Sequence, residues 1–483
     1  MVIAGLKGGS GKTTCALGII KAWRDKGLNL IPFKKGPDYI DAGWLASAAG
    51  FPCYNLDPFL IGRQQVLSSF SLHISGADGA VIEGNRGLYD GMDVNGTYST
   101  SELAKLLKAP VVLIIDCSKV TRTVAAMVLG CQRFDPDVNI NGVILNQIAG
   151  SRHESIIRSS IEQYCNIPVL GAIPRLKEEY FPERHMGLTP FQEHPEVEMA
   201  LAANADIARK YLDLDWIWRI AKEAAPLEVC SGLEDLPSTK EGKKGKEGIG
   251  RLISLSSVTP QSSPRIGVIK DSAFQFYYPE NIEELERRGA RIVEISALTE
   301  KVFPDIDALY IGGGFPETHA IALAENMGFR NSLKKAVEGG LPVYAECGGL
   351  MYLGEGIVLE DKTYPMTGVF PIVFGLDRRP QAHGYSIIEV EHSNPYYPVG
   401  ITLRGHEFHY SRALRIGEKA GIYMAFIVRR GQGIKDRMDG ICYKNTLATY
   451  THLHALGASE WADGLIERAV SYMASFKNRE TGI

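Results

Sequence analysis

Close to its first residue the chain reads Lys7-Gly8-Gly9-Ser10-Gly11-Lys12-Thr13-Thr14. A β-prone run, Val2–Gly5, precedes this stretch, and a helix-prone segment, Thr13–Lys26, follows it. A glycine-rich turn between a strand and a helix lets backbone N–H groups converge on phosphate oxygens, and the helix dipole adds to the attraction. We therefore predict that these residues bind a nucleotide, with Lys12 at the β- and γ-phosphates and the Thr13 hydroxyl on Mg²⁺.

The loop departs from the usual spacing, which wants a glycine where this chain has Leu6. Lys7 instead adds a second lysine before Gly8-Gly9. This two-lysine form also occurs in partitioning-type ATPases, which dimerise on DNA or membranes, and that function stays open as a remote alternative. The near-neutral charge and the whole second half of the chain argue against it.

Short runs rich in Val and Ile alternate with helix-prone segments over the first part of the chain. This pattern predicts an α/β domain with a parallel sheet, because strands covered by helices on both faces are apolar throughout. We expect the stretch Leu201–Ala224 to be helical. The predicted strands are Val2–Gly5, Leu28–Phe33, Gly79–Glu83, Val111–Asp116, Gly142–Asn146 and Pro168–Ile173.

Several carboxylates follow or end these strands, where sites on open parallel sheets form. Glu83 ends one predicted strand, and Asp38 and Asp41 follow another. Carboxylate oxygens are hard ligands that suit Mg²⁺ held between protein and phosphates. For each residue the alternative is a helix cap or a solvated loop charge. Asp116 also ends a strand, and we expect it to act as a cap.

The composition changes in the middle of the chain. Residues 229–264 are rich in Lys, Gly and Ser and cannot bury much apolar surface, which predicts a linker. A second α/β domain is predicted over residues 265–476, after a first domain over residues 1–228. Its predicted elements are strands Arg265–Ile269, Arg291–Ile295, Ala308–Ile311 and Leu341–Glu346, a helix over Pro279–Gly289, and an antiparallel tail at Thr367–Val373 and Tyr385–Val390.

One predicted strand of this domain ends in a cysteine between small residues, Ala345-Glu346-Cys347-Gly348-Gly349. Small residues permit the strained turn that exposes a nucleophile above a sheet. We predict that the Gly348 N–H helps to bind an oxyanion and that Gly313 and Gly314, in another turn after a strand, contribute a second donor. The alternative for a lone cysteine is a place in the core.

A nucleophilic cysteine needs a base or a cation nearby. Alternation along a strand would place His452 and His454 on one face, and His452 is the predicted catalytic partner of Cys347. A zinc-binding pair is the competing interpretation, although no matching Cys or Glu ligands accompany it. The stretch Arg404–His409 is one residue short of a zinc-protease motif and is expected to line or pack against a site.

Size and composition exclude several classes of protein. With 483 residues the chain is long enough for two domains. A net charge of −4 argues against a nucleic-acid binder, and apolar runs such as Val111–Ile115 are too short to span a membrane. Eight cysteines without a CxxC pair, together with a phosphate loop that leaves no room for a secretory signal, predict a reduced cytoplasmic protein.

Taken together, the motifs resemble the cobyrinate a,c-diamide synthase family of corrinoid biosynthesis, whose close relatives act on hydrogenobyrinate and Ni-sirohydrochlorin. The resemblance covers nearly the whole chain. It is carried by Lys34–Asp41, Asn55–Asp57, Glu83–Gly91, Gly142–Asn146, Arg184–Leu188, Asp271–Tyr278, Gly312–Glu317, Ala345–Leu350 and Tyr450–His454.

The resemblance implies a first domain similar to dethiobiotin synthetase and a second similar to class I glutamine amidotransferases. It implies ATP- and glutamine-dependent amidation of the a and c side-chain carboxylates of cobyrinate through acyl phosphates, in cobalamin biosynthesis. The choice among related tetrapyrroles and the oligomeric state stay open, a homodimer included.

The resemblance also implies roles for individual residues. Asn146 would contact adenine, Thr13 and Glu83 would hold Mg²⁺, and Asp38, Ile40 and Asp90 would serve the substrate or the phosphorylated intermediate. Cys347 would form a glutamyl thioester with His452 as base and acid. Many relatives in the wider superfamily carry a glutamate where this chain has His454, so we expect a Cys-His dyad with His454 as a candidate orienter.

Overall fold

The computed structural model describes residues 1–176, 183–184, 187–188, 196–227 and 263–480. Of these, residues 183–184, 187–188 and 476–480 are described by their backbone only. The chain divides into two compact units, Met1–Glu228 and Val229–Ile483. The predicted linker at 229–264 lies almost wholly outside the described residues, as do His185 and Met186 of one motif. The proposed domain limits therefore stay predictions.

The first unit is built on a seven-stranded parallel sheet with the order β3-β2-β4-β1-β5-β6-β7. Its strands are β1 Val2–Gly5, β2 Leu30–Lys35, β3 Tyr54–Leu56, β4 Gly79–Glu83, β5 Val111–Asp116, β6 Ile140–Ile148 and β7 Val169–Pro174, and a two-stranded ribbon adds β8 Glu183–Arg184 and β9 Gly187–Leu188. Its helices are α1 Lys12–Arg24, α2 Tyr39–Ala49, α3 Gly62–His73, α4 Thr100–Leu106, α5 Thr123–Phe134, α6 Ser151–Cys165, α7 Val197–Tyr211 and α8 Leu214–Lys222.

The strand order brings the carboxyl ends of β1, β2 and β4 together. Successive residues of these strands are nearly all buried, as expected for a parallel sheet covered by helices. The strand predicted at Leu28–Phe33 begins two residues later and continues through Lys35, so Lys34 and Lys35 are buried strand residues. The helical stretch predicted over Leu201–Ala224 is confirmed over most of its length. It is divided into α7 and α8, because the Asp213 side chain accepts a hydrogen bond from Trp216 N at 2.9 Å and caps α8.

The second unit contains a ten-stranded mixed sheet, order β11-β10-β12-β13-β22-β21-β20-β17-β18-β23, and a four-stranded sheet, order β15-β14-β16-β19. The strands are β10 Arg265–Ile269, β11 Arg291–Ile295, β12 Ala308–Ile311, β13 Val343–Glu346, β14 Gly356–Leu359, β15 Lys362–Pro365, β16 Ile372–Leu376, β17 Ala382–Val390, β18 Thr402–His409, β19 Ser411–Ile416, β20 Ile422–Arg430, β21 Met438–Tyr443, β22 Thr446–Thr449 and β23 His452–Leu453. The helices are α9 Pro279–Arg287, α10 Ala320–Glu325, α11 Met327–Glu338, α12 Gly348–Leu353 and α13 Ser459–Glu480, with 3₁₀ turns at Pro316–His319 and Ala455–Gly457.

Strands β11, β10, β12, β13 and β22 are parallel, and the rest of the large sheet is antiparallel. The predicted antiparallel tail is confirmed for Tyr385–Val390, which lies in β17. The other predicted strand is shifted and lies in the four-stranded sheet as β16, parallel to β14 and antiparallel to β19. Residues Thr367–Pro371 are irregular because Gly368 has a φ of 66° and Pro371 lacks a backbone donor, so the strand begins at Ile372.

Candidate active sites

The phosphate loop joins the end of β1 at Gly5 to the start of α1 at Lys12. Gly11 precedes the helix with a φ of 94°, and a Cβ placed there would lie 2.3 Å from Asn146 Nδ2. That amide nitrogen donates to the Ser10 carbonyl at 3.0 Å. Asn146 therefore packs against the loop and fixes its backbone, whereas the adenine contact implied for it stays a prediction.

The loop is held by its own lysines. Lys12 Nζ donates to the Lys7 carbonyl at 3.0 Å, and Lys7 Nζ lies 2.9 Å from Asp116 Oδ2. Burial lowers the pKa of Lys12, while the carboxylate of Glu83 opposes that shift. A Cβ on Gly8 or Gly9 would meet nothing within 4 Å, so the crest of the loop is open to a ligand.

Asp116 does more than the predicted capping. Its Oδ1 accepts a hydrogen bond from Ser118 N at 2.9 Å, while Oδ2 pairs with Lys7. Partial burial favours a higher pKa of Asp116, but hydrogen bonds from Ser118 and Lys7 outweigh it, and the pKa is lowered. The second lysine of the loop thus has a carboxylate partner at the end of β5.

A cluster of buried charges lies beside the loop. The Thr13 hydroxyl donates to Glu83 Oε1 at 2.6 Å, and Lys34 Nζ lies 3.1 Å from the same oxygen and 2.6 Å from Asp41 Oδ2. Burial raises the pKa of Glu83 against the opposing charge of Lys34. Burial favours a lower pKa of Lys34, but the carboxylates of Asp41 and Glu83 outweigh it and raise the pKa. The sequence interpretation missed Lys34, which organises this cluster.

The other predicted substrate residues follow β2 and β4. Asp38 caps α2 by accepting from Asp41 N at 2.8 Å, and burial together with the neighbouring Asp41 raises the pKa of Asp38 to about 7. Ile40 is buried in the first turn of that helix. Asp90 Oδ2 accepts from Gly87 N at 2.9 Å, which closes the turn after β4. The capping alternative is therefore true of Asp38, and the substrate roles of all three residues stay predictions.

The donor set beside the phosphate loop fits Mg²⁺. Glu83 Oε2 is buried without a hydrogen-bond partner among the described residues, and Thr13 adds a hydroxyl oxygen. Over the same residues no three His, Cys, Asp or Glu side chains converge into a complete cage. Mg²⁺ typically takes one or two carboxylates and completes its shell with phosphates and water, so this sparse oxygen set suits it.

Cys347 occupies the strained turn that the sequence predicts. It links β13 to α12 with φ 47° and ψ −99°, and its N–H donates to the Thr449 carbonyl at 2.8 Å. A Cβ on Gly348 would lie 2.9 Å from Gly314 N, and one on Gly349 would lie 2.6 Å from the Ile311 carbonyl oxygen. The turn therefore needs both glycines after the cysteine, as expected of a nucleophile elbow.

The glycine turn after β12 touches the imidazole of His452. A Cβ on Gly313 would lie 2.4 Å from His452 Cε1 and 3.2 Å from its Nε2, while Gly314 N approaches Gly348. The turn thus lies against the predicted base on one side and the cysteine turn on the other. The structure brings together Cys347, His452, Gly313, Gly314 and Gly348.

The surroundings of Cys347 favour the neutral thiol in the ligand-free chain. Burial raises the pKa of Cys347 well above its usual value, Glu317 adds to the effect, and the Gly348 N–H opposes it. His406 stacks on His452 with ring centroids 4.8 Å apart, and burial together with His452 lowers the pKa of His406 well below 6.5. Residues Arg404–His409 thus lie in β18, and His406 packs against the site, as expected.

The family of the chain follows from two kinds of comparison. The model of the CobQ/CobB/MinD/ParA nucleotide binding domain matches residues 1–188, and that of the CobB/CobQ-like glutamine amidotransferase domain matches residues 265–460. A cobyrinate a,c-diamide synthase of Magnetococcus marinus is 42% identical over 462 residues, which cover 96% of this chain and 95% of that protein. The chain belongs to the cobyrinate a,c-diamide synthase family. Another member, from Archaeoglobus fulgidus, is 40% identical over 471 residues, 97% of either chain.

Membership in the cobyrinate a,c-diamide synthase family confirms the resemblance and the two-part fold class predicted from the sequence. It also overturns the partitioning-ATPase alternative, because relatives match across both units rather than across the phosphate-loop half alone. In the part of the chain that the structure describes, no helix has the length and apolar character needed to cross a bilayer.

His454 differs from its predicted placement. Strand β23 ends at Leu453, and His454 instead caps the 3₁₀ turn that follows, its Nδ1 accepting from Leu456 N at 3.3 Å. Its Nε2 lies 3.5 Å from Glu280 Oε2, and its ring lies against Tyr278. The prediction that one strand carries both histidines is therefore wrong, and the contacts described for His454 do not involve the cysteine turn.

The zinc alternative for the histidine pair also lacks support. His452 and His454 face different carboxylates, Glu346 and Glu280, each at 3.5 Å. Among the residues whose positions are described, no group of three candidate ligands could hold a metal. Glu346, which the sequence interpretation passed over, is the residue immediately before the cysteine.

Proposed function

We propose that this chain uses ATP and glutamine to amidate the a and c side-chain carboxylates of cobyrinate, giving the a,c-diamide of cobalamin biosynthesis. One observation carries the proposal: a single chain combines an open phosphate loop, joined to a buried carboxylate through Thr13, with a cysteine elbow beside His452. The first site suits activation of an acid, and the second suits release of ammonia from an amide.

Activation is needed because a carboxylate is a poor electrophile, since its leaving group would be oxide. Transfer of the γ-phosphoryl group gives an acyl phosphate, whose leaving group is phosphate. Lys12 and the loop N–H groups would bind and orient the triphosphate, and Asn146 would keep the loop in shape beneath it. Thr13 and Glu83 would hold Mg²⁺, which when bound neutralises charge that builds up on the phosphates.

Nitrogen would come from glutamine at the second site. Cys347 Sγ attacks the side-chain carbonyl carbon while His452 takes the thiol proton, and the N–H of Gly348 with the Gly313-Gly314 turn holds the oxyanion. His452 returns the proton to the departing nitrogen, and a glutamyl thioester and ammonia result. Water hydrolyses the thioester, and ammonia attacks the acyl phosphate and displaces phosphate.

The finer assignments belong to the same proposal. Asp38, Ile40 and Asp90 would serve the tetrapyrrole or its phosphorylated form, since they lie after β2 and β4 near the charged cluster. Eight cysteines without a CxxC pair, seven of them described and buried, support a reducing cytoplasmic setting. A homodimer is compatible with the proposal, which needs neither nucleic acid nor a membrane.

Mass spectrometry of products tests the proposal. The purified chain is incubated with ATP, Mg²⁺ and glutamine and with cobyrinate, hydrogenobyrinate or Ni-sirohydrochlorin in separate reactions. We expect a diamide from cobyrinate that needs all three other components. A diamide from hydrogenobyrinate or Ni-sirohydrochlorin alone would move the substrate assignment to that tetrapyrrole, and no amide from any of them would overturn the proposed function.

A further inference from the structure

Glu346 ends β13 directly before the nucleophile and has no exposed surface. Three groups face its carboxylate. The Tyr310 hydroxyl donates to Oε2 at 3.1 Å, Leu453 N donates to Oε1 at 3.2 Å, and His452 Nδ1 lies 3.5 Å from Oε2. One buried carboxylate therefore contacts both residues of the short strand β23.

The imidazole of His452 is oriented by its surroundings on three sides. Its Nδ1 faces Glu346, whereas its Nε2 lies on the side of Gly313, whose turn reaches Gly348. The ring of His406 stacks on its flat face at an interplanar angle of 17°. Rotation of the ring is thus restricted, and one nitrogen points to a carboxylate while the other points towards the oxyanion turn.

Such an arrangement performs the task of the third member of a catalytic triad. A carboxylate at one imidazole nitrogen selects the tautomer that leaves the other nitrogen free to accept a proton, and it stabilises the imidazolium that then forms. His454, the other candidate for this role, is occupied by Glu280 and Leu456 N. The separation of 3.5 Å is long for a hydrogen bond, as is common before a ligand binds.

We propose that Glu346 is the positioning residue of His452, so that the third member of the glutaminase site precedes the nucleophile in the chain. The inference rests on the proposed function. The proton moves from Cys347 Sγ to His452 Nε2 and then to the departing amide nitrogen, as the carbon–sulfur bond forms and the carbon–nitrogen bond breaks. Glu346 stays ionised and keeps its hydrogen bond to Leu453 N throughout.

The substitution Glu346→Gln tests this role because it keeps the shape and an acceptor for Leu453 N but removes the charge. We expect kcat for glutamine hydrolysis to fall about 100-fold or more with KM for glutamine little changed, since the carboxylate acts on proton transfer and not on binding. Amidation driven by ammonium chloride should keep its rate, which also shows that the chain is folded.

The chain offers a matched control in Glu280→Gln. Glu280 is also buried and lies 3.5 Å from a histidine of the same segment, His454, so a loss caused only by breaking a buried pair would appear equally in both variants. Equal losses, or a kcat of Glu346→Gln within about twofold of the unsubstituted chain, would overturn the inference.

Two further outcomes are informative. If Glu346→Gln also loses ammonia-driven amidation, Glu346→Asp is measured instead. Aspartate keeps the carboxylate but is one methylene shorter, so the charge lies farther from His452, and kcat for glutamine hydrolysis should fall about tenfold at constant KM. An unchanged kcat overturns the inference. If the unsubstituted chain hydrolyses no glutamine, the proposed function fails, and with it the basis of the inference.

Discussion

Thr13 and Glu83 lie 70 positions apart in the chain, yet the Thr13 hydroxyl donates to Glu83 Oε1 at 2.6 Å. The bond joins the first turn of α1 to the end of β4. Lys34 approaches the same carboxylate oxygen at 3.1 Å, so that the carboxylate has both a hydroxyl and an ammonium partner. This contact places a buried anion directly behind the phosphate loop.

Replacement of that anion should disable the first site alone. We expect Glu83→Gln to lower ATP-dependent amidation about 100-fold or more with either glutamine or ammonium as nitrogen source, because a charged oxygen beside the phosphates is lost. Glutamine hydrolysis should persist, since its residues lie in the other unit. The half-buried Glu154, paired with Arg158 on α6, supplies the control Glu154→Gln. Unchanged amidation in Glu83→Gln would show that Glu83 does not serve the nucleotide site.

Removal of the thiol should separate the two activities in the opposite sense. Cys347→Ser is expected to abolish glutamine hydrolysis and glutamine-driven amidation while ammonium-driven amidation continues, because the synthetase site does not need the thiol. Cys442→Ser is the control: that thiol is buried in the same unit and donates to the Gly440 carbonyl. Both rates are measured on each variant, and glutamine-driven amidation by Cys347→Ser would contradict the assignment.

The space beside His452 gives a steric prediction. Because a Cβ on Gly313 would lie 2.4 Å from His452 Cε1, Gly313→Ala must displace the imidazole or the turn. We expect glutamine hydrolysis to fall about 100-fold, as misplacement of a catalytic group by ~1 Å can cost that much. Ammonium-driven amidation should not change. Full hydrolysis by Gly313→Ala would show that the turn and His452 are not held together during the reaction.

Gly130 serves as the contrasting glycine. It lies in the interior of α5, where a Cβ would meet nothing within 4 Å. Gly130→Ala should leave both activities unchanged and raise the free energy of unfolding by about 0.5–1 kcal/mol, because alanine loses less backbone entropy in a helix. Denaturant titration followed by tryptophan fluorescence measures the change, and a decrease in stability would contradict the helical environment assigned to Gly130.

The raised pKa of Asp38 predicts a pH dependence of stability. The pKa rises from 3.8 to about 7 in the folded chain because of burial and the charge of Asp41, so between these values the folded state binds more protons than the unfolded state. The free energy of unfolding of the ligand-free chain should therefore decrease as pH rises through this window and stay lower above it.

Asp38→Asn keeps a good helix cap and removes the charge, so it should stabilise the ligand-free chain at about pH 8 by ~1 kcal/mol. The full pKa shift of Asp38 is equivalent to ~4 kcal/mol, but the expected gain in the free energy of unfolding is smaller because Asp38 is only partly buried and solvent screens its charge. Asp213→Asn alters the cap of α8 outside the charged cluster and should lack this effect. Denaturant titrations of both variants and of the unsubstituted chain, at about pH 4 and about pH 8, measure the free energy of unfolding. A lower stability of Asp38→Asn than of the unsubstituted chain at the higher pH would contradict the prediction.

Local sequence signals located the parts of both sites whose chemistry is concentrated in a few neighbouring residues. The phosphate loop and the cysteine elbow each depend on glycines that the backbone geometry requires, at Gly11 and Gly348 for example, and such requirements are visible in the sequence. Apolar strands ending in charged residues likewise indicated the end of β4.

Contacts between residues far apart in the sequence could not be predicted from such local signals. Lys34 and Glu83 are partners in the register of β2 and β4, so their pairing depends on which strands are neighbours. Glu346 meets His452 because β13 pairs with β22, which places Glu346 opposite Thr449, three residues before His452; local patterns do not specify this strand order. The helical stretch over Leu201–Ala224 was predicted, but its division at the capping residue Asp213 was not.

The central claim is that nucleotide energy turns a carboxylate into an acyl phosphate and that the cysteine site supplies the ammonia that captures it. The most direct measurement is a double-label experiment, with cobyrinate carrying heavy oxygen in its a and c carboxylates and glutamine carrying heavy nitrogen in its amide. We predict heavy nitrogen in both new amides of the product and one heavy oxygen in each phosphate released. Unlabelled phosphate, or product without heavy nitrogen, would contradict the account.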